Sequence, residues 1–190
     1  MNITPQLLKA CKRQDRRAQS ALYKACFQPL MGICMRYQKN EADAVAALNQ
    51  AFLKIIQKLD TYPPKVPFEA WAKRITINTL IDVYRAQKRH QDKVAYYEFY
   101  ETDDFTGLVS FNEADQQLDA QEIEQLIQQL PDMSRKVFNL FAIDGYSHKE
   151  ICKMLDISEG TSKWHVSSAR KFLRKRLEHL IHSSNQTIKT

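Results

Sequence analysis

Apolar residues recur along this chain at helical spacing, and few segments alternate with period two. Ala44, Leu48, Ala51, Phe52, Ile55 and Leu59 share one face of a helix predicted from about Glu41 to Leu59. Phe68, Trp71, Ala72, Ile75 and Leu80 can form the buried side of another, from about Phe68 to Arg89. Two helices precede these. Thr4-Pro5 starts the first, with threonine as cap and proline at the first helical position, and Leu7, Leu8 and Cys11 continue it. The second runs from about Ala18 to Gln38 and adjusts at Pro29. Between the third and fourth, Tyr62-Pro63-Pro64-Lys65-Val66-Pro67 is a break, because three prolines remove donors and fix φ.

The period is lost over residues 91–118, which turn acidic and carry Tyr96, Tyr97, Phe99, Tyr100, Phe105 and Phe111. This segment reads as a linker. Helix returns with Ile123, Leu126, Ile127 and Leu130 and ends at Pro131-Asp132. Ser134 then starts a helix carrying Val137, Phe138 and Phe141, and Ser183 to Thr190 reads as a polar tail.

The most specific pattern lies from Gly145 to Leu177. Ser147 and Glu150 have the spacing of a capping box, followed by Ile151, Cys152 and Leu155 as an apolar stripe. Asp156-Ile157-Ser158 is the expected turn, with Ile157 as the plug and Ser158 as cap of the next helix. In that helix Val166, Ala169, Leu173 and Leu177 face inward. Trp164, Ser168, Lys171 and Lys175 then project roughly opposite, with His165 and Ser167 on the flanks. Two helices around a tight turn, the second basic and carrying an outward tryptophan, are suited to the major groove of DNA.

Composition narrows the class. Four glycines in 190 residues, with little alternation, predict an all-α protein. The net charge of +6 suits a polyanionic partner. It is unevenly spread: residues 1–90 hold 16 Lys/Arg against 6 Asp/Glu, residues 91–120 hold 1 against 8, and residues 121–190 hold 11 against 8. Two basic modules joined by an acidic tether follow from this distribution. Cys11, Cys26, Cys34 and Cys152 have no CxxC spacing and sit among apolar residues, so no zinc site and no cofactor is expected. His148-Lys149-Glu150 is not HExxH, and the five histidines lack evident catalytic partners, which argues against an enzyme. No signal peptide and no membrane-length apolar run is visible, so the expected location is cytoplasmic without membrane insertion.

The Phe68–Arg89 segment is a second basic site. Lys73, Arg74, Asn78, Asp82, Arg85, Lys88 and Arg89 interleave with Trp71 and Tyr84. Cations track phosphates while aromatic rings stack on unpaired bases, the chemistry of single-strand capture.

These two segments, in this order, resemble the RNA polymerase sigma factors of the extracytoplasmic-function group. FEAWAKRITINTLIDVYRAQKR is similar to the family's F-x-x-W-L-x-x-I-x-x-N-x-x-I-D-x-x-R followed by basic residues. GYSHKEICKMLDISEGTSKWHVSSARKFL is similar to its G-x-S-x-x-E-I-A-x-x-L-x-I-S-x-G-T-V-K-x-x-L-x-x-A-R-x-x-L. The resemblance implies two small helical domains: sigma region 2 over 1–90 and region 4 over 119–182, with the acidic linker 91–118 between them and the tail 183–190 after.

It implies further that the chain binds core RNA polymerase and directs promoter recognition, DNA melting and initiation. Leu48, Asn49, Phe52, Leu53 and Ile56 would meet the clamp of the polymerase largest subunit. Trp71, Lys73, Arg74, Asn78, Asp82, Arg85, Lys88 and Arg89 would meet the −10 element. Thr161, Lys163, Trp164, His165, Ser167, Ser168, Arg170 and Lys171 would enter the −35 element, with region 4 resting on the flap of the second-largest subunit. Such proteins are commonly held inactive by an anti-sigma factor, often at the inner membrane, which makes one a further expected partner.

The sequence departs from the family pattern at Val45, Ala46, Asn49 and Gln50, where paired acids, a Gln and another acid are usual. That departure motivates an alternative: a sigma-like DNA-binding regulator without core binding. Trp164 and His165 are the least family-like residues of the reading helix, and Ser162 stands in place of the usual valine.

Overall fold

The computed structural model describes residues 3–91 and 120–187, with side chains to 87 in the first span and from 122 to 178 in the second. All regular structure among them is helical, and the chain divides into two units, Met1–Ala95 and Tyr96–Thr190. The segment read as a linker lies outside the described residues from 92 to 119, as do positions 188–190 of the tail.

The first unit holds α1 (Pro5–Lys12), α2 (Arg16–Tyr37), α3 (Glu41–Gln57) and α4 (Phe68–Gln91). Each of the first three starts on a side-chain cap. Thr4 accepts from the Leu7 amide at 3.3 Å, Asp15 from Arg17 and Ala18 at 2.8 and 3.0 Å, and Asn40 from Asp43 at 2.8 Å. The Asp15 cap starts α2 two residues earlier than the apolar pattern predicts. Pro29 lies within α2 on its exposed side, where it does not disturb packing. After α3, a 3₁₀ turn over Leu59–Thr61 leads into the proline segment and buries Leu59.

Helices α2, α3 and α4 pack on one another and α1 packs on α2. Leu22, Leu30, Tyr37, Leu48, Ile55, Leu59, Ile77 and Leu80 are the largest fully enclosed side chains described in this unit. Around its middle α4 is enclosed on several sides, with Ile75, Thr76, Ile77, Thr79, Leu80 and Ile81 all buried. The two buried threonines are satisfied within the helix, Thr76 Oγ1 donating to the Ala72 carbonyl at 3.0 Å and Thr79 Oγ1 to Ile75 at 2.8 Å.

The second unit holds α5 (Ala120–Gln128), α6 (Asp132–Phe138), α7 (His148–Leu155) and α8 (Glu159–Thr187). Its core joins Leu126, Ile127, Leu130, Phe138, Ala169 and Leu173, with Phe172 and Leu177 packed against them. Arg135 is only 2% exposed; it donates to the Gln128 carbonyl and side chain and pairs with Asp132, which ties α5 to α6. One π-helical turn over Asn139–Ile143 extends α6, with the Asp144 amide bonded to the Asn139 carbonyl at 2.9 Å. Gly145 follows at φ +77, a conformation that favours glycine. Helix α8 continues through Thr187, into the segment read as the polar tail, because nothing after Leu177 is a proline or glycine that would stop it.

Candidate nucleic-acid and polymerase interfaces

In the second unit the capping box forms as its spacing predicts. The Ser147 amide donates to Glu150 Oε2 at 2.9 Å and the Glu150 amide to Ser147 Oγ at 3.3 Å. Asp156 closes α7 in the left-handed region at φ 56, and Ser158 caps α8 by accepting from the Thr161 amide at 3.0 Å. These local bonds set where α8 begins. Burial of Ile151, Leu155, Val166, Ala169 and Leu173 sets its rotation.

With that rotation, Lys163, Arg170 and Lys171 are exposed, while Thr161, Trp164, Ser167 and Ser168 are half-buried. Lys163 Nζ is 3.0 Å from Glu159 Oε1, and this ammonium holds the Glu159 carboxyl below its ordinary pKa. The Arg170 guanidinium stands 5.8 Å over the Phe141 ring.

His165 is a correction. It was expected on the DNA-reading flank, yet it is buried, 8% exposed, with Nδ1 2.9 Å from Ser134 Oγ. Burial lowers its pKa to about 4, so the ring is neutral near pH 7. The physical reason is its position directly before Val166: α6 reaches across and offers a hydroxyl partner that makes burial of the imidazole tolerable. Trp164 meets this ring edge-on, with centroids 4.9 Å apart.

Sequence reasoning missed a second imidazole. His148 Nδ1 lies 2.9 Å from Ser162 Oγ, and its ring stacks on Phe141 at 4.4 Å and 17°. Burial first, then Lys163, lowers the pKa of His148. Ser162 is fully enclosed, so its hydroxyl finds its partner in the His148 ring. No spacing rule links residues 14 apart across a turn, and no local signal could have shown this pair.

In the first unit Trp71, Arg74, Asn78, Asp82 and Arg85 fall within about 80° of one another at ~100° per residue. Arg74, Asn78 and Asp82 are exposed, and Trp71 and Arg85 half-buried. Lys73 is half-buried and about 100° round the helix from Arg74, off this stripe. The side chains of Lys88 and Arg89 lie outside the described residues. Trp71 is packed, its ring 5.0 Å from Tyr62 and 5.5 Å from Phe68, so its orientation is fixed by an aromatic cluster. Asp82 accepts from Lys54 Nζ at 2.9 Å, bridging α4 to α3.

On α3 the residues expected to face polymerase divide. Leu48 is corrected: it is 1% exposed and belongs to the core, on the apolar row of α3, a helix that packs on α2 and α4. Asn49 is exposed, Phe52 and Ile56 are half-buried, and Leu53 is 58% exposed. Two residues of α2, unnoticed in the sequence, complete this face. Tyr23 donates to Asn49 Oδ1 at 2.8 Å and meets Phe52 edge-on at 4.9 Å, with Phe27 a further 5.8 Å away. Their spacing of four on one helix was the available signal.

Among the described residues no group of three His, Cys, Asp or Glu is placed to hold a metal ion. The thiols of Cys26 and Cys34 are pushed up to about 11 and about 12 by burial and behave as small core residues. None of the described helices is long and apolar enough to cross a membrane.

Two family models match this chain: Sigma-70 region 2 over residues 22–90 and Sigma-70, region 4 over residues 120–173. It is 27% identical over 184 residues to the RNA polymerase sigma-H factor of Pseudomonas aeruginosa, covering 93% of this chain and 94% of that one. It is 29% identical to the ECF RNA polymerase sigma factor SigW of Bacillus subtilis, covering 91% and 96%. It is 24% identical to the ECF RNA polymerase sigma-E factor of Escherichia coli, covering 92% and 94%. The two matched regions fall in order, one in each helical unit, and the chain belongs to the extracytoplasmic-function group of the sigma-70 family.

Proposed function

We propose that this alternative sigma factor holds promoter DNA at two points and core polymerase at a third, with the following residues. The α8 face of Thr161, Lys163, Trp164, Ser167, Ser168, Arg170 and Lys171 reads the −35 element in the major groove. His165 supports that face from behind. The α4 stripe of Arg74, Asn78 and Arg85, with Trp71 at its start and Lys73 beside it, frames the −10 element. Lys88 and Arg89 extend the basic run toward the linker. Asp82 acts from within this stripe by holding Lys54. The α3 face of Asn49, Phe52, Leu53 and Ile56, flanked by Tyr23 and Phe27, docks on the clamp of the largest subunit.

In domain terms, region 2 is 1–90, the linker is 91–118 and region 4 is 119–182. Region 4 also rests on the flap of the second-largest subunit, and the acidic linker threads the polymerase until RNA displaces it. The protein makes no bond. Promoter opening is driven by binding the melted state more tightly than the duplex. It acts in the cytoplasm, and an anti-sigma factor, at the inner membrane or free, is the partner that would hold it inactive.

The observation that carries this reading is the division of α8: Val166, Ala169 and Leu173 are buried while Lys163, Arg170 and Lys171 stay in solvent. An inward apolar row and an outward cationic row on one capped helix leave a polyanion as the fitting partner. The reading as a regulator without core binding is not favoured. The relatives matched over nine-tenths of the chain are sigma factors, and the α3 face replaces absent acids with exposed apolar surface.

The test is reconstitution. Purified protein plus core polymerase should start transcription at promoters selected with that holoenzyme. Separate elution of protein and core in gel filtration would refute the reading.

A further inference from the structure

Phe141 sits on the π-helical turn and joins two distant points of α8. Its ring stacks on His148, which bonds Ser162 in the first turn of the helix. The same ring lies under the guanidinium of Arg170, eight residues further along. The contacts are therefore one connected set: Ser162, His148, Phe141, Arg170. Eight residues of helix span about 12 Å, so the set fixes α8 at two levels rather than one. Its central ring is neutral, and the lowered pKa of His148 keeps the second ring uncharged beside the cation.

We propose that Phe141 and His148 are positioning residues that hold Arg170 ready for the DNA backbone. This rests on the reading above that α8 enters the −35 element. An arginine free in solvent loses rotamer freedom when it meets a phosphate. One already lying over a ring has given up part of that freedom in the unbound protein. Phe141 thus acts on promoter affinity without touching DNA, through Arg170.

The experiment is a double-mutant cycle on holoenzyme at a selected promoter, with binding measured as a function of salt. Arg170→Ala should weaken binding and lower the salt slope by about one. Phe141→Leu should weaken binding by about two- to fivefold, the range of an exposed cation–π contact, and should leave the slope unchanged, because Arg170 still reaches the phosphate. Added to Arg170→Ala, Phe141→Leu should cost little more. Phe141→Tyr, which keeps the ring, should restore binding. Should Phe141→Leu fail to fold, Phe141→Met keeps the apolar volume and gives the same reading.

Losses that add in the double variant, or no loss on Phe141→Leu, overturn the proposal while leaving the DNA-facing role of α8 intact. No effect of Arg170→Ala on affinity or slope overturns the proposal and removes Arg170 from the DNA-facing set, leaving the other α8 residues to be tested by their own variants.

Discussion

Ser134 Oγ and His165 Nδ1 meet at 2.9 Å across the α6–α8 interface, both side chains buried. This contact takes an imidazole away from the α8 face proposed to read DNA and makes it a support of that helix. The tautomer decides which atom donates, but burial favours the neutral ring, because among the described residues no carboxylate offsets the desolvation of an imidazolium here.

Stability should therefore fall in mild acid. His165 takes up its proton at about 4 in the folded protein and near 6.5 when unfolded. Between those values the unfolded chain binds more protons, so stability is complete above about 6.5 and declines as pH falls toward about 4. The loss is on the order of 3 kcal/mol at full extent, and His148, lowered in the same direction, adds to it. Urea melts at pH 7.5, 6 and 5 should show the region 4 transition moving to lower denaturant. A midpoint that stays constant over that range would contradict the burial of His165.

Removing one member of the pair should cost more than replacing both. His165→Ala leaves a cavity and an unpaired Ser134 hydroxyl, for about 2–4 kcal/mol of lost stability. Ser134→Ala with His165→Leu exchanges the hydrogen bond for apolar packing and should regain most of it. Thermal melts of the two variants check this, the double variant being expected to melt higher.

Trp164 should behave in the opposite way. It is half-buried beside the His165 ring and projects from the reading side of α8, so Trp164→Ala should leave most of the stability in place. Its effect should appear as altered promoter preference, roughly 1–3 kcal/mol at the base it contacts. Competition binding across single-base promoter variants measures this; equal loss on every sequence would remove the base-reading role.

Lys171 is exposed and further along the same helix. Lys171→Ala should weaken binding uniformly across sequences and lower the salt slope by about one. A sequence-dependent loss would move Lys171 from backbone contact to base contact.

On the first unit, Leu53 and Leu48 separate docking from folding. Leu53 is 58% exposed, so Leu53→Glu should change stability by no more than about 0.5 kcal/mol while reducing co-elution with core polymerase. Leu48 is enclosed, and Leu48→Ala should cost about 2–5 kcal/mol of stability. Denaturant melts read beside gel filtration distinguish the two, and unchanged core binding by Leu53→Glu would remove the α3 face from the interface.

The sequence by itself determined most of the elements and several of their ends. Helical spacing, the Thr4-Pro5 start, the proline break after α3 and the Ser147–Glu150 capping box all act within a few residues, and local rules capture local energetics. The inward row of α8 was legible for the same reason, since a 3.6-residue period orders apolar side chains along a single helix. Tertiary structure alone decided which polar side chains are spent inside. The period leaves His165 on a flank, and only α6, 31 residues earlier, supplies the hydroxyl that lets it be buried. Leu48, read as a docking residue, is enclosed because α2 and α4 close over it. Ser162 reaches His148, Tyr23 reaches Asn49 and Lys54 reaches Asp82 across helices, pairings that no periodicity encodes. A side chain's partner depends on what the fold brings opposite it, and in this protein that decides which residues remain free to face DNA.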